Sequence, residues 1–119
     1  MITHITRKEL WKEAKRKGVY KPDSLETDGF IHCSDLTQVL EVAEKLFKDE
    51  EDLVLICIDE KKLSSDLVYE DLYMSGEKYP HIYGPLDLEA VDSVHELMPD
   101  ENGTSALPQE LEVYNEPGG

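Results

Sequence analysis

Residues 53–58 read Leu-Val-Leu-Ile-Cys-Ile, an apolar run with no polar residue at any alternate position. A strand with one wet face alternates apolar and polar side chains, so a run without alternation has to bury both faces. Any fold of this chain must therefore place packed layers on either side of that segment, the expected central strand. The residues just before it supply one layer. Leu36, Val39, Leu40, Ala43, Leu46 and Phe47 recur at helical spacing. Ser34 or Asp35 is expected to begin this helix, with Gln38 completing a capping box with Asp35. The acidic run from Lys48 to Asp52 closes it. An earlier helix is expected after Thr6, whose hydroxyl and Glu9 form a first capping box. Its apolar stripe is Leu10, Trp11 and Ala14, and it runs to about Lys17 and stops at Gly18.

The other elements are shorter. Ile2 to Ile5 is a first strand that contains His4, and Tyr20 to Ser24 is a turn-rich connection. Gly29 to Ser34 is a strand or a tight extended segment, and Glu60 to Leu63 a turn or short helix. Leu67–Tyr73 and Tyr79–Tyr83 are strands on either side of a turn at Ser75–Lys78. Pro80 cannot donate to a ladder and so places its strand at an edge or a strand end. Leu86–Ala90 is a short turn of helix and Val91–Leu97 the final strand. From Met98 onward Pro, Gly, Asn and Asp accumulate, which predicts one domain over 1–108 and a loosely packed or disordered tail over 109–119. Helices early and strands late predict an α+β fold with a mostly antiparallel sheet rather than a repeating βαβ unit.

The chain has 119 residues, room for one domain. It carries 27 acidic against 12 basic residues, a formal net charge of -15. Nucleic-acid backbones are polyanions held by basic patches, and the densest basic stretch, Arg7 to Lys17, is diluted by Glu9 and Glu13. Nucleic acid is therefore not an expected partner. No apolar stretch is long enough to span a bilayer, and the first residues lack the pattern of a secretory leader. Cys33 and Cys57 are far apart and in no CxxC pattern. They read as free thiols of a cytoplasmic protein, expected to be a monomer.

Three of the four histidines stand in similar apolar settings. His4 lies in the first strand, His32 follows Phe30-Ile31, and His81 follows Tyr79-Pro80. Imidazole changes charge near neutral pH and donates or accepts at either nitrogen, so several facing one cleft would make a binding or catalytic device. Taken singly, each reads as a satisfied structural residue. Gly29 beside Phe30, and Gly84-Pro85 after Tyr83, are costly choices inside strands. They mark close approach of backbone to a ligand, or plain chain reversal. Ser34, at the expected helix start, would set backbone N–H groups beside His32 as an anion site. Glu70 among apolar neighbours requires a partner or a raised pKa, or else faces solvent. Tyr20, Tyr69, Tyr79 and Tyr83 suit stacking on a ring or bonding a sugar, and equally a core edge. No Gly-rich phosphate loop, GxSxG, HExxH or GxGxxG is present.

These segments together carry a resemblance: Ile2-Thr3-His4-Ile5, Trp11 with Ala14, Gly18-x-Tyr20, Gly29 to Ser34, Gln38-Val39, Tyr69-Glu70, and Tyr79 to Leu86. From Ile2 to about Pro108 the chain resembles the bacterial family catalogued as domain of unknown function 952. That family in turn resembles the ADP-ribosyltransferase superfamily. The resemblance implies a small split β core, two sheets packed together with helices outside, and a cleft for NAD or an ADP-ribose-like ligand. It assigns His4 to the ribose, His32 and Ser34 to the pocket wall, and a late glutamate to the oxocarbenium-like sugar. The chain departs from that pattern where His81 occupies the late motif with no glutamate beside it, Glu70 standing eleven residues earlier.

Three functions follow as expectations. The first is an NAD- or nucleotide-binding enzyme, with His4, His32, His81 and Glu70 as catalytic candidates. Its ligand contacts would be Tyr20, Phe30, Ser34, Tyr69, Tyr83 and Gly84. The second is a non-catalytic module for a small molecule or a protein partner, and the third a histidine-ligated metal site.

Overall fold

The computed structural model describes residues 1–47, 50, 52–72 and 74–97. The apolar run is β5 (Leu53–Ile58), and all six of its residues are buried. Alternation divides them between two cores. Val54, Ile56 and Ile58 face one cluster, with Trp11, Ala14, Tyr20, Ile31 and Ile82. Leu53, Leu55 and Cys57 face the other, with Ile5, Val39, Ala43 and Leu97. The run is continuous because the strand separates two packed layers.

β5 lies inside a four-stranded antiparallel sheet, in the order β4 (Ser34–Asp35), β1 (Ile2–Arg7), β5, β9 (Val91–Leu97). A three-stranded sheet follows the order β3 (Ile31–His32), β7 (Tyr79–Tyr83), β6 (Asp66–Glu70), and a two-stranded ribbon joins β2 (Val19–Tyr20) to β8 (Leu86–Asp87). Ile31 and Ile82 of the three-stranded sheet share the first cluster with Ile2, Ile56 and Ile58 of the larger one, so the two sheets meet across one core. Helix α1 (Lys8–Lys17) adds Trp11 and Ala14 to that core. The short α2 (Ser24–Thr27) leads into β3, and α3 (Val39–Leu46) sets Val39 and Ala43 in the second core. The architecture is a small α+β fold with antiparallel sheets. Among the described residues no helix is long and apolar enough to cross a membrane.

Several local expectations are corrected. Ser34 and Asp35 pair with Thr3 and Ile2 as β4, and α3 begins at Val39. The expected capping box nevertheless forms over the intervening turn. Asp35 Oδ1 accepts from the Gln38 N–H at 2.9 Å, and the Asp35 N–H donates to Gln38 Oε1 at 3.1 Å. Thr6 caps nothing, because β1 runs on to Arg7 and no side chain caps α1. That helix ends where expected, its Gly18 N–H bonded to the Ala14 carbonyl. The expected turn at residues 20–24 holds β2 and the start of α2, and the expected helical turn at 86–90 opens with β8. The strand expected over 67–73 spans Asp66–Glu70. Tyr73 and the expected tail lie outside the described residues.

Pro80 stands near the start of β7, as one of its two expected placements has it, but it is buried in the middle strand of its sheet and not at an edge. Its carbonyl accepts the Cys33 N–H at 3.1 Å. In an antiparallel pair the reciprocal bond would come from the amide that proline lacks. β3 ends at His32, and the chain crosses to the other sheet as β4. The missing donor therefore falls where the ladder stops.

Candidate functional site

Alternation along β1 turns Ile2, His4 and Thr6 toward the core between the sheets. There His4 is enclosed. Its Nδ1 lies 2.5 Å from the His32 carbonyl and its Nε2 2.7 Å from the Tyr20 hydroxyl, which in turn bonds Thr6 Oγ1 at 3.0 Å. Burial pulls its pKa down to about 4, with the His32 carbonyl opposing that shift, so the ring is neutral at pH 7. A carbonyl only accepts, which fixes the proton on Nδ1. Nε2 is then the acceptor for the Tyr20 O–H, and the Thr6 hydroxyl supplies the proton in its bond with the tyrosine oxygen. Burial pushes the Tyr20 phenol up to about 12. The relay is buried, satisfied and uncharged.

The three-stranded sheet presents a different cluster on its outer face. Register sets His81 of β7 between His32 of β3 and Val68 of β6, all on one side. Ile31, Ile82 and Leu67 point the other way, to the core. The β6–β7 hairpin pairs Glu70 with Tyr79, and this brings the Glu70 carboxylate to His81. Glu70 Oε2 lies 2.8 Å from His81 Nδ1 and also accepts the Tyr83 O–H. The hairpin thus sets a glutamate against the late histidine. The Tyr83 bond, then the His81 bond, hold Glu70 below the usual carboxylate range, so it is ionised. Both donors use Oε2, and Oε1 has no protein partner among the described residues.

Phe30 covers His81. The two rings stack at 4.2 Å between centroids and 25° between planes, with Tyr83 5.3 Å and His32 4.7 Å from Phe30. His81 is only 1% exposed. Its Nε2 makes no hydrogen bond to a described residue. A histidine held as the Nδ1–H tautomer by a carboxylate offers its Nε2 lone pair as a base or a ligand contact. His32 completes the face edge-on to His81, its Nε2 2.8 Å from Asp28 Oδ2.

The expected single pocket therefore divides in two. His4 and Tyr20 belong to the inner relay, and Phe30, His32, Glu70, His81 and Tyr83 to the outer face. The His32 backbone links them, because its carbonyl holds His4 while its ring stands outside. Ser34 joins neither group. It stands opposite Thr3, on the side of the sheet that α3 covers, and its carbonyl accepts the Thr3 hydroxyl at 2.9 Å. The helix N-terminus expected beside it is absent. Tyr69 turns to the face opposite Glu70 and donates to Glu60 Oε2 at 3.2 Å. Gly84 has a φ of 154°, and a Cβ there would meet Ser65 Oγ at 2.5 Å, so close packing of two loops accounts for it. Gly29, with φ 86°, closes α2 through a bond to the Ser24 carbonyl. His95 is separate, 3.0 Å from Ser93 Oγ. Asp28 was missed, and its only signal was a carboxylate four residues before His32. Cys33 and Cys57 are unpaired and buried.

No group of three His, Cys, Asp or Glu among the described residues is placed to hold a metal ion. A cleft of about 290 Å³ is lined by Arg7, Glu9, Glu50 and Asp52, and no histidine borders it.

Solved structures share this fold. The crystal structure of protein CC0527 from Caulobacter crescentus is 32% identical, with a TM-score of 0.84 over 93% of this chain and 97% of that one. Its solution NMR structure gives 0.77 at 32% identity, covering 94% of each. No curated protein matches the chain. Residues 5–94 match the family described as protein of unknown function (DUF952), and the chain belongs to it.

Proposed function

We propose that the outer face of the three-stranded sheet binds a nucleotide of the NAD or ADP-ribose type, in a fold akin to the ADP-ribosyltransferases. The observation that carries this reading is the Glu70 carboxylate. It is ionised, its Oε2 is held by His81 and Tyr83, and its Oε1 has no partner among the described residues and lies beside stacked rings. Such an oxygen suits a ribose hydroxyl. A carboxylate there also steadies positive charge if a glycosidic bond at that ribose breaks. Phe30 and Tyr83 offer ring faces for a planar base, and His81 Nε2 offers a proton acceptor. Two sheets sharing one core, with a histidine in the first strand, accord with the same kinship.

One observation favours a second reading, a binding module without turnover. His4, which the kinship assigns to the ribose, has both nitrogens engaged inside the protein.

An amide NMR titration with NAD, ADP-ribose and AMP tests the proposal. Shifts clustered on Phe30–His32, Glu70 and His81–Tyr83, lost in Glu70→Gln, are expected. Flat spectra at millimolar ligand overturn it. Binding without release of nicotinamide on prolonged incubation selects the second reading.

A further inference from the structure

β6 is the edge of its sheet, and the alternation of ladder bonds shows what that edge offers. The Cys33 N–H bonds the Pro80 carbonyl, so the backbone groups of Pro80 and Ile82 point to β3 and those of Tyr79, His81 and Tyr83 point to β6. Their partners Glu70, Val68 and Asp66 are thereby used, and the N–H and C=O groups of Leu67 and Tyr69 point outward. No described residue bonds them. Natural edges are blunted by proline, lysine, bulges or cover. Asp66–Glu70 contains no proline or lysine, and its pairing with β7 runs without a register shift. Large apolar side chains are also exposed along it and beyond it: Val68 at 40%, Tyr69 at 46%, Leu72 at 50% and Met74 at 91%.

Charge identifies the occupant. Asp66 and Glu70 flank Val68 on one face, and Asp71 follows. A second copy centred on Val68 would set Asp66 against Glu70, and each copy brings a net charge of -15. We infer that β6 accepts an extended basic segment of a protein partner as a fourth strand. That segment would place an apolar residue opposite Val68 and lysine or arginine opposite Asp66 and Glu70. Its main chain would bond the outward groups of Leu67 and Tyr69, the usual mode of strand addition. The inference does not rest on the nucleotide reading.

The test titrates the isotope-labelled full chain with an end-capped peptide, Thr-Arg-Thr-Val-Thr-Arg-Thr. Amide shifts centred on Leu67 and Tyr69 are expected, with slowed solvent exchange at those two amides. Binding weakens about tenfold on raising salt from 0.05 to 0.5 M, because exposed charges are screened. Tyr69→Pro removes an outward donor while leaving the β7 ladder intact, and about tenfold weaker binding follows. In antiparallel addition the two threonines flanking the peptide's central valine face Leu67 and Tyr69, so N-methylation of those threonines is the matching control that leaves the protein unchanged. Equal binding of a peptide with glutamate in place of arginine overturns the inference, as do shifts confined to the Phe30 face. Concentration-dependent β6 shifts without peptide overturn it in favour of a second copy.

Discussion

The inner and outer clusters each join histidine and tyrosine, yet they surround the histidine differently. His4 sits between the sheets with both nitrogens satisfied, its neighbours are hydroxyls and a carbonyl, and no carboxylate touches it. His81 is as deeply covered, yet it is paired to an ionised carboxylate and keeps one nitrogen without a protein partner among the described residues. Burial alone does not separate the two histidines; the charge of the partner and, among the described residues, the vacancy of the second nitrogen do. The comparison makes a sharp claim. Changes to the inner relay should appear mainly as stability, and changes to the outer face mainly as titration and ligand response.

The largest effect is expected from His4→Ala. Truncation strips the bonding partner from the His32 carbonyl and the Tyr20 hydroxyl inside the core. Unsatisfied buried groups and the cavity together cost about 3 kcal/mol, measurable by urea unfolding. A loss under about 1 kcal/mol would mean that water repairs the relay and that the inner cluster is not structural.

A pH series tests the same group without changing the sequence. His4 in the folded protein has its pKa lowered to about 4, while the unfolded chain takes up the proton near the ordinary 6.5. Protons therefore favour the unfolded state between those values. His4's contribution is intact above about pH 6.5 and falls away as pH drops toward 4, by about 3 kcal/mol in all. Carboxylates with lowered pKa, such as Asp71 and Glu96, also lose stability toward acid, so the useful quantity is a difference. His4→Gln should flatten the slope between pH 6.5 and 4 relative to the parent. Parallel slopes would show that His4 is not buried neutral.

Phe30→Leu sharpens the boundary between the clusters. It keeps bulk over His81 but removes the stacked ring, at about 1 kcal/mol. The His81 ring signals should move while those of His4 stay. Equal movement of both would mean that the His32 backbone couples the clusters into one unit.

The sequence foretold the layers better than the site, for a physical reason. The run at 53–58 and the helical spacing of Val39 and Ala43 are local patterns, and the sheets and cores follow them. Pro80 could not be assigned to a middle strand because its tolerance there depends on where β3 leaves the sheet, a fact of tertiary structure. Thr6 and Ser34 looked like caps since their alternative partners, Tyr20 and Thr3, come from other strands. The three candidate histidines were visible, but not their division, which turns on the odd or even position of each residue on a strand. Glu70 was singled out as a carboxylate needing a partner, and register alone delivered it to His81. Asp28 needed the four-residue helix α2 to bring it to His32.

The smallest effect is also the most specific. Tyr83→Phe deletes one exposed hydroxyl, the first cause of Glu70's lowered pKa, and leaves the second, His81, in place. Glu70 should therefore titrate higher than in the parent but still below an ordinary glutamate, as read from its side-chain carboxyl carbon by NMR. The linkage has the usual carboxylate sign. Because the folded pKa lies below the unfolded one, the bonds to Glu70 stabilise the protein above the unfolded pKa and are lost as pH falls through the folded one. The variant should narrow that acid window from below and leave stability at pH 7 nearly unchanged, since both partners face solvent. His4 titration should not respond. A Glu70 midpoint identical to the parent's would break the outer cluster as drawn, because the carboxylate would then owe its ionisation to His81 alone and Tyr83 would be an ordinary surface ring.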